Sequence, residues 1–245
     1  MLSTVLLISP EGTMKLVELV LVDRLEDRLE VYADRGLDEG VLRREMQNIR
    51  ALVSPKIVLE VLGEKTRVRP TLTVLDRKLA LLATPLTQGE PTLAVPWRAY
   101  ETAGVNLWHL VHEWIEAHLL FEFPGLPRWA KEGLAQLGAY LYLRQQAPHL
   151  LPTALEHYAR WGQVGAEVFF SWPDLKDRLG RDPLHALAQW AQGGHQSPEE
   201  RARYATALLA FRERYGGNTS LSPLLERIRT SGWEPLREEV ASFFA

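Results

Sequence analysis

The spacing of apolar residues changes near residue 100. Before it, short apolar runs alternate with charged turns, whereas beyond residue 105 apolar residues recur mostly at helical intervals. In the first part the pattern predicts strands at 3–9, 16–23, 29–32, 57–62, 72–75 and 92–97, a helix at 39–53, and an element of either type at 79–83. In the second part it predicts helices at 106–120, 128–146, 152–162, 173–179, 183–192, 198–214, 221–230 and 234–244.

These elements predict an α+β protein, with an N-terminal mixed sheet and one helix followed by a mainly helical half. We expect a subdomain at 1–104 and a helical subdomain at 105–245 that share an interface rather than fold independently. Asp38 is expected to cap the first helix, and Ser54-Pro55 to end it. Pro96 has no backbone N–H, which places the strand at 92–97 at an edge of the sheet.

The composition excludes several classes of function. The net charge is −3 and no basic patch is evident, which argues against a nucleic-acid partner. Cysteine is absent, so a metal site must use His, Asp or Glu, and disulfides and a cysteine nucleophile are excluded. No apolar run is long enough to cross a membrane and no signal peptide is apparent, so we expect a cytoplasmic protein. The oligomeric state is left open.

The candidate chemistry lies on the helix predicted at 106–120, which carries the sequence His-Glu-Trp-Ile-Glu at 112–116. Positions four apart lie about 40° from one another around a helix, so His112 and Glu116 can reach one ion. Glu113 lies beside them and can hold a water molecule. His109, one turn earlier, shares this polar stripe, and we interpret it as a hydrogen-bonded core histidine. His118 lies about 120° around the helix from His112 and is not expected to join it.

The next predicted helix carries Glu132, and Pro127 is well placed near its start. If the two helices pack antiparallel, Glu132 lies opposite His112 and Glu116. One imidazole and two carboxylates would then surround an ion that keeps an open position. Gly133 is expected to allow close packing against the first helix.

The run from Leu110 to Tyr140 resembles the gluzincin metallopeptidases of the peptidase MA-like group. Their pattern is a His-Glu-x-x-His helix, a short loop that contains proline, and Pro-Arg-Trp-x-x-Glu-Gly-x-Ala, which Pro127 to Ala135 follow closely. The resemblance implies a zincin-like fold, a Zn²⁺ ion bound by His112 and Glu132, Glu113 as general base, and a peptide or protein substrate. Glu116 stands where the family has its second histidine.

A carboxylate in that position changes the expected metal chemistry. It adds a negative charge beside the ion and weakens the ion as a Lewis acid, and the loss of a nitrogen ligand shifts preference from Zn²⁺ towards harder ions such as Mn²⁺. The ion can therefore be zinc, another divalent cation, or none. Three functions stay open: a metal-dependent peptidase, an inactive zincin-like protein that binds a peptide or protein without metal, and a structural protein whose acidic stripe pairs with cations such as Arg128.

Two further features bear on a peptidase. A tyrosine can stabilise the negatively charged oxygen of such a reaction, and Tyr140, Tyr142 and Tyr204 are candidates, although packing roles are equally compatible with the sequence. The strand at 92–97 can bind an extended peptide by strand addition, or it can be an ordinary edge strand.

Overall fold

The computed structural model describes residues 2–8, 14–75, 80–82, 92–164 and 211–241, with only the backbone described at 2–8, 14–17, 80–82, 92, 128–129, 158–164 and 240–241. The strands are β1 (Leu2–Ile8), β2 (Met14–Leu25), β3 (Leu29–Asp34), β4 (Arg69–Leu75), β5 (Ala80–Leu82) and β6 (Thr92–Arg98). The helices are α1 (Glu39–Leu52), α2 (Pro55–Leu62), α3 (Ala103–Glu122), α4 (Arg128–Gln146), α5 (Leu151–Val164), α6 (Ser222–Ser231) and α7 (Glu234–Ala241).

The six strands form one mixed sheet in the order β5-β1-β2-β3-β4-β6. Antiparallel pairs join β5, β1, β2 and β3, while β3–β4 and β4–β6 are parallel. The α+β class is confirmed, and so is the position of β6 at the end of the strand order. At the other end of that order, β5 also approaches β6, so the sheet curls.

The prediction of a strand at 57–62 is wrong, because this segment is helix α2. Ser54 ends α1, and its hydroxyl then accepts a hydrogen bond from the N–H of Ile57, with Pro55 in the first turn. Val58, Val61 and Leu62 are buried at helical spacing. The Ser-Pro pair that stops one helix therefore also starts the next. Asp38 caps α1 as predicted, accepting a hydrogen bond from Val41.

The helical half follows the predicted pattern wherever it is described. Helices α3, α4, α5, α6 and α7 match predictions within a few residues, and residues 211–215 are also helical. The helices predicted at 173–179 and 183–192, and most of that at 198–214, lie outside the described residues. No helix in the described ranges is long and apolar enough to cross a membrane.

One hydrophobic core joins the sheet to α3 and α4. Val31, Leu72 and Val95 from the sheet belong to the same buried cluster as Leu110 and Leu134 from the two helices. The cluster thus crosses the predicted boundary at residues 104 and 105. It makes α3 an almost wholly buried helix that lies between β6 and α4.

Glycines set two close approaches in this core. A Cβ atom on Gly138 would lie 2.3 Å from Cδ1 of Ile115, so the absence of a side chain at this position lets α4 approach that side chain of α3. Gly133, which was expected to have that role, instead faces the ring of Phe211 at 2.5 Å from such an atom. The expectation is corrected because α4 presents 133 and 138 to different neighbours.

Candidate metal centre

The ends of β6 and α3 are joined by buried hydrogen bonds that fix the helix against the sheet. The side chain of Asn106, in the first turns of α3, accepts a hydrogen bond from the backbone N–H of Arg98 at 2.9 Å and donates one to its carbonyl at 2.8 Å. Thr102 caps the helix by accepting a hydrogen bond from the N–H of Val105. This junction sets where the polar stripe of α3 lies.

Two buried polar contacts hold helix α4 against α3. The indole N–H of Trp108 donates to Oε1 of Gln136 at 2.6 Å, and one turn further along α3, Nε2 of His112 lies 3.2 Å from Oε2 of Glu132. Both pairs are buried. The expected approach of Glu132 to His112 is therefore present in the structure.

His112 lies among the carboxylates of its neighbours. Its Nε2 atom is 3.7 Å from Oε2 of Glu116, and ligand atoms of His112, Glu113 and Glu116 all lie within 4.8 Å of one another. The structure thus brings Glu116 and Glu132 each close to Nε2 of His112, but among the described residues the group whose ligand atoms all lie close enough to hold one ion is His112, Glu113 and Glu116, without Glu132. These four residues are at most 8% exposed. Glu113, predicted as a base and not as a ligand, is itself a member of that group.

The charges of this group act on His112. Burial favours the neutral imidazole, but the hydrogen bond to Glu132 and the negative charges of Glu132 and Glu116 outweigh it, so the pKa of His112 is raised. The ring's other nitrogen, Nδ1, has no hydrogen-bond partner among the residues that the structure describes. His112 therefore presents Nε2, not Nδ1, to the carboxylates.

The remaining histidines of α3 have different partners. His109 Nδ1 lies 3.2 Å from a guanidinium nitrogen of Arg98, and its ring meets that of His157 edge to face at 6.3 Å. Burial, together with the positive charges of Arg98, His112 and His157, holds the pKa of His109 well below its usual range. The predicted role of His109 as a hydrogen-bonded core histidine is compatible with these contacts.

His118 belongs to a separate group at the end of α3. Its Nε2 lies 2.5 Å from Oε1 of Glu64, whose other oxygen pairs with Arg229. Burial lowers the pKa of His118 although the charge of Glu64 opposes this effect. His118 therefore has a carboxylate partner outside the cluster around His112, as its angle around the helix predicts.

The tyrosines fall into three cases. The hydroxyl of Tyr142 accepts a hydrogen bond from the N–H of Ser54 and donates one to the carbonyl of Leu52, so it joins α4 to the α1–α2 junction. Tyr140 stacks under the guanidinium of Arg144 at 5.8 Å. Tyr204 lies outside the described residues, as does the side chain of Arg128. The hydroxyl of Tyr142 therefore has a structural role.

Sequence reasoning missed Arg98, Asn106 and Lys131, which are buried charged or polar residues. Asn106, His109 and Glu113 recur at helical spacing, so the sequence pattern alone could have identified Asn106 as part of the polar face of α3. Arg98 was not, because its approach to α3 depends on how β6 joins the sheet.

Comparisons of this chain with protein-family models, with curated proteins and with solved structures found no match. The resemblance to the gluzincin group therefore stays a prediction that rests on the motif residues.

Proposed function

We propose that this protein is a metal-dependent hydrolase of the peptidase type with a zincin-like fold. His112, Glu116 and Glu132 would hold one divalent cation, and Glu113 would act as general base on a peptide or protein substrate. The observation that carries the proposal is the buried group of His112, Glu113 and Glu116 on one helix, with Glu132 of the packed helix 3.2 Å from His112.

The electrostatics of the cluster favour a cation. Three carboxylates and one imidazole share a site from which water is largely excluded, and buried carboxylates are costly unless paired or bound to a metal. The spacing of the two pairs that include His112 also fits. Ligand atoms at about 2.0–2.2 Å from one ion lie roughly 3–4 Å apart, and His112 Nε2 is 3.2 Å from the Glu132 oxygen and 3.7 Å from the Glu116 oxygen.

The donor set bears on which ion is held. Zn²⁺ is the ion of the family that the motif resembles, but a site with one nitrogen and several carboxylate oxygens is also suited to Mn²⁺ and other hard ions. A bound divalent ion would supply Lewis-acid polarisation of a carbonyl and would make water easier to deprotonate. We therefore expect activity with Mn²⁺ at least equal to that with Zn²⁺.

Side chains of the protein would carry out the proton transfers of the reaction. Glu113 is next to His112 in the chain and within the same cluster, and it would accept a proton from water and pass it to the leaving amine. The burial of α3 keeps bulk water away from this carboxylate, which strengthens its electrostatic effect.

Two variants test the proposal. Glu113→Gln keeps the side chain's size and should retain the metal while losing hydrolysis of a quenched fluorescent peptide library by about 10²–10⁴-fold. Glu132→Ala should lose both metal and activity. Hydrolysis that survives in Glu113→Gln, or that chelators do not inhibit, would contradict the assignment.

A second function is an inactive zincin-like protein that binds a peptide or protein partner without metal. It is favoured by one observation: the imidazole of His112 already lies between two carboxylates, so in its protonated form it can balance part of their charge. The presence of Glu116 where the resembled family has its second histidine also fits a protein without metal. Metal-free protein that binds library peptides and never cleaves them would support it. The predicted cytoplasmic location stays a prediction.

A further inference from the structure

We propose that Gln136 is a positioning residue of the candidate metal centre. Its hydrogen bond with Trp108 fixes the register of α4 against α3, and this register brings Glu132 within reach of His112. The inference rests on the proposed function and adds a residue that lies outside the ligands assigned there. It begins from two contacts between the same two helices.

The two contacts occupy matching positions. On α3, Trp108 lies four residues before His112, and on α4, Gln136 lies four residues after Glu132, as an antiparallel helix pair requires. The indole nitrogen of Trp108 is 2.6 Å from the amide oxygen of Gln136, and the His112 and Glu132 atoms are 3.2 Å apart. Four residues make about one turn with a rise of about 6 Å. Two attachments one turn apart oppose both sliding and rotation of α4, whereas one attachment would leave rotation free.

The chemistry of the first contact makes it selective. An indole has one N–H donor and no acceptor, so only the amide oxygen of Gln136 can pair with Trp108 in this way. Trp108 is fully buried and Gln136 is 4% exposed. Any other register breaks this bond at a place where water cannot readily replace it, and such a loss is costly.

The apolar contacts of α4 are less selective. The helix buries several small residues, among them Ala130, Ala135, Gly138 and Ala139. The burial of apolar surface has no preferred direction, whereas a buried polar group can specify one register of a helix pair even at a cost in stability. The bond of Gln136 therefore supplies a directional constraint that this apolar surface lacks.

The register decides what Glu132 can do. A slip of α4 by a single residue moves Glu132 by about 1.5 Å along the helix axis. A carboxylate oxygen must come to about 2.0–2.2 Å from a bound ion, and a metal site tolerates displacements of only about 0.5 Å. Gln136 thus acts on the ion through the position of Glu132, without touching the ion itself.

Metal affinity separates this role from a purely structural one. Gln136→Met keeps the length of the side chain and removes the amide oxygen, while Gln136→Glu keeps an oxygen acceptor. Tyr142→Phe is the matched control, because it removes a buried hydrogen bond of the same helix at a distance from the site. In titrations of the metal-free proteins with Mn²⁺, we expect Gln136→Met to bind about 10-fold more weakly, and the other two variants to bind like the unmodified protein.

Equal Mn²⁺ affinity in Gln136→Met and the unmodified protein would overturn the inference. So would an equal loss in Tyr142→Phe, because any weakening of α4 would then have the same effect. If Gln136→Met does not fold, Trp108→Phe removes the same hydrogen bond from the α3 side and carries the same expectation.

A second measurement needs no metal. The loss in unfolding free energy caused by Glu132→Gln is measured with excess chelator in the unmodified protein, in Gln136→Met and in Tyr142→Phe. We expect this loss to fall to about half in the Gln136→Met background, because Glu132 is no longer held opposite His112. It should be unchanged with Tyr142→Phe, which lies ten residues and about 15 Å further along the helix. The same loss in all three backgrounds would overturn the inference.

The two measurements distinguish the inference from the proposed function. A protein that shows the expected dependence on background but takes up neither Mn²⁺ nor Zn²⁺ would overturn the proposed function, and with it the role of Gln136 towards a metal. A protein that binds metal with the same affinity whether residue 136 is Gln or Met would overturn the inference alone.

Discussion

The pair formed by His112 and Glu132 makes the stability of the metal-free protein depend on pH. Their side-chain atoms lie 3.2 Å apart in a buried site, and the carboxylate of Glu132 is a principal reason that the pKa of His112 is raised. Replacing Glu132 by glutamine keeps the volume of the side chain and removes its charge. The substitution therefore tests the pair without opening a cavity.

The size of the expected loss in unfolding free energy depends on the burial of the pair and on the second carboxylate near His112. Removing one partner of a buried ion pair costs about 3–5 kcal/mol. Glu116, whose oxygen lies 3.7 Å from the same nitrogen, still faces the imidazolium in the variant, so we expect the lower end, about 3 kcal/mol. This is the expected loss in unfolding free energy for metal-free Glu132→Gln at about pH 6, where His112 is protonated in the folded state.

The sign of the pH dependence is fixed by the direction of the pKa shift. Because the folded-state pKa of His112 is above its unfolded value of about 6.5, the stabilisation is complete below that pH and is lost as pH rises through the folded pKa. One proton changes the free energy by at most about 1.4 kcal/mol per pH unit. The difference between the two proteins should therefore shrink as the pH rises above about 6.5 and through the folded-state pKa of His112.

Urea unfolding of both proteins with excess chelator, at about pH 6, 7, 8 and 9, measures this difference directly. Groups that titrate alike in both proteins contribute equally to the two unfolding free energies, so their contributions cancel in the difference. A difference that stays constant across the range, or that grows with pH, would refute the reasoning.

Two further substitutions test the fold that positions the site. Tyr142→Phe leaves the N–H of Ser54 without its hydrogen bond, so we expect a loss of about 1–3 kcal/mol in chemical denaturation and an unchanged metal content. Gly63→Ala should cost about 2 kcal/mol or more, because Gly63 has φ +79° and a Cβ atom there would lie 2.4 Å from that of Ser222. Gly217→Ala, where such an atom meets nothing within 4 Å, is the matched control. A neutral result for Tyr142→Phe, or equal losses in both glycine variants, would contradict the account.

The sequence predicted the elements whose signals are local and long. Helix α4 was predicted at its observed bounds, and the spacing of His112, Glu116 and Glu132 already indicated one group on two facing helices. Helix α2 was assigned as a strand because an eight-residue apolar segment satisfies both periodicities, and only its packing against α4 decides between them.

Contacts between distant segments could not be predicted from the chain. The two hydrogen bonds between Asn106 and Arg98 require β6 to end close to where α3 begins, which depends on the order of strands in the sheet. The same holds for Gly133, whose partner Phe211 lies far along the chain and was not linked to it by any motif. Local patterns give the residues of a site, whereas the sheet and the core decide what surrounds them.

The central claim is that the cluster of His112, Glu113, Glu116 and Glu132 holds a divalent cation. The most direct measurement is elemental mass spectrometry on untagged protein that has been purified without chelators, beside Glu132→Ala treated identically. The account predicts about one equivalent of a divalent ion in the unmodified protein and a loss of most of it in the variant. A folded protein that contains no metal and takes up neither Zn²⁺ nor Mn²⁺ would contradict it, and would favour a metal-free binding protein.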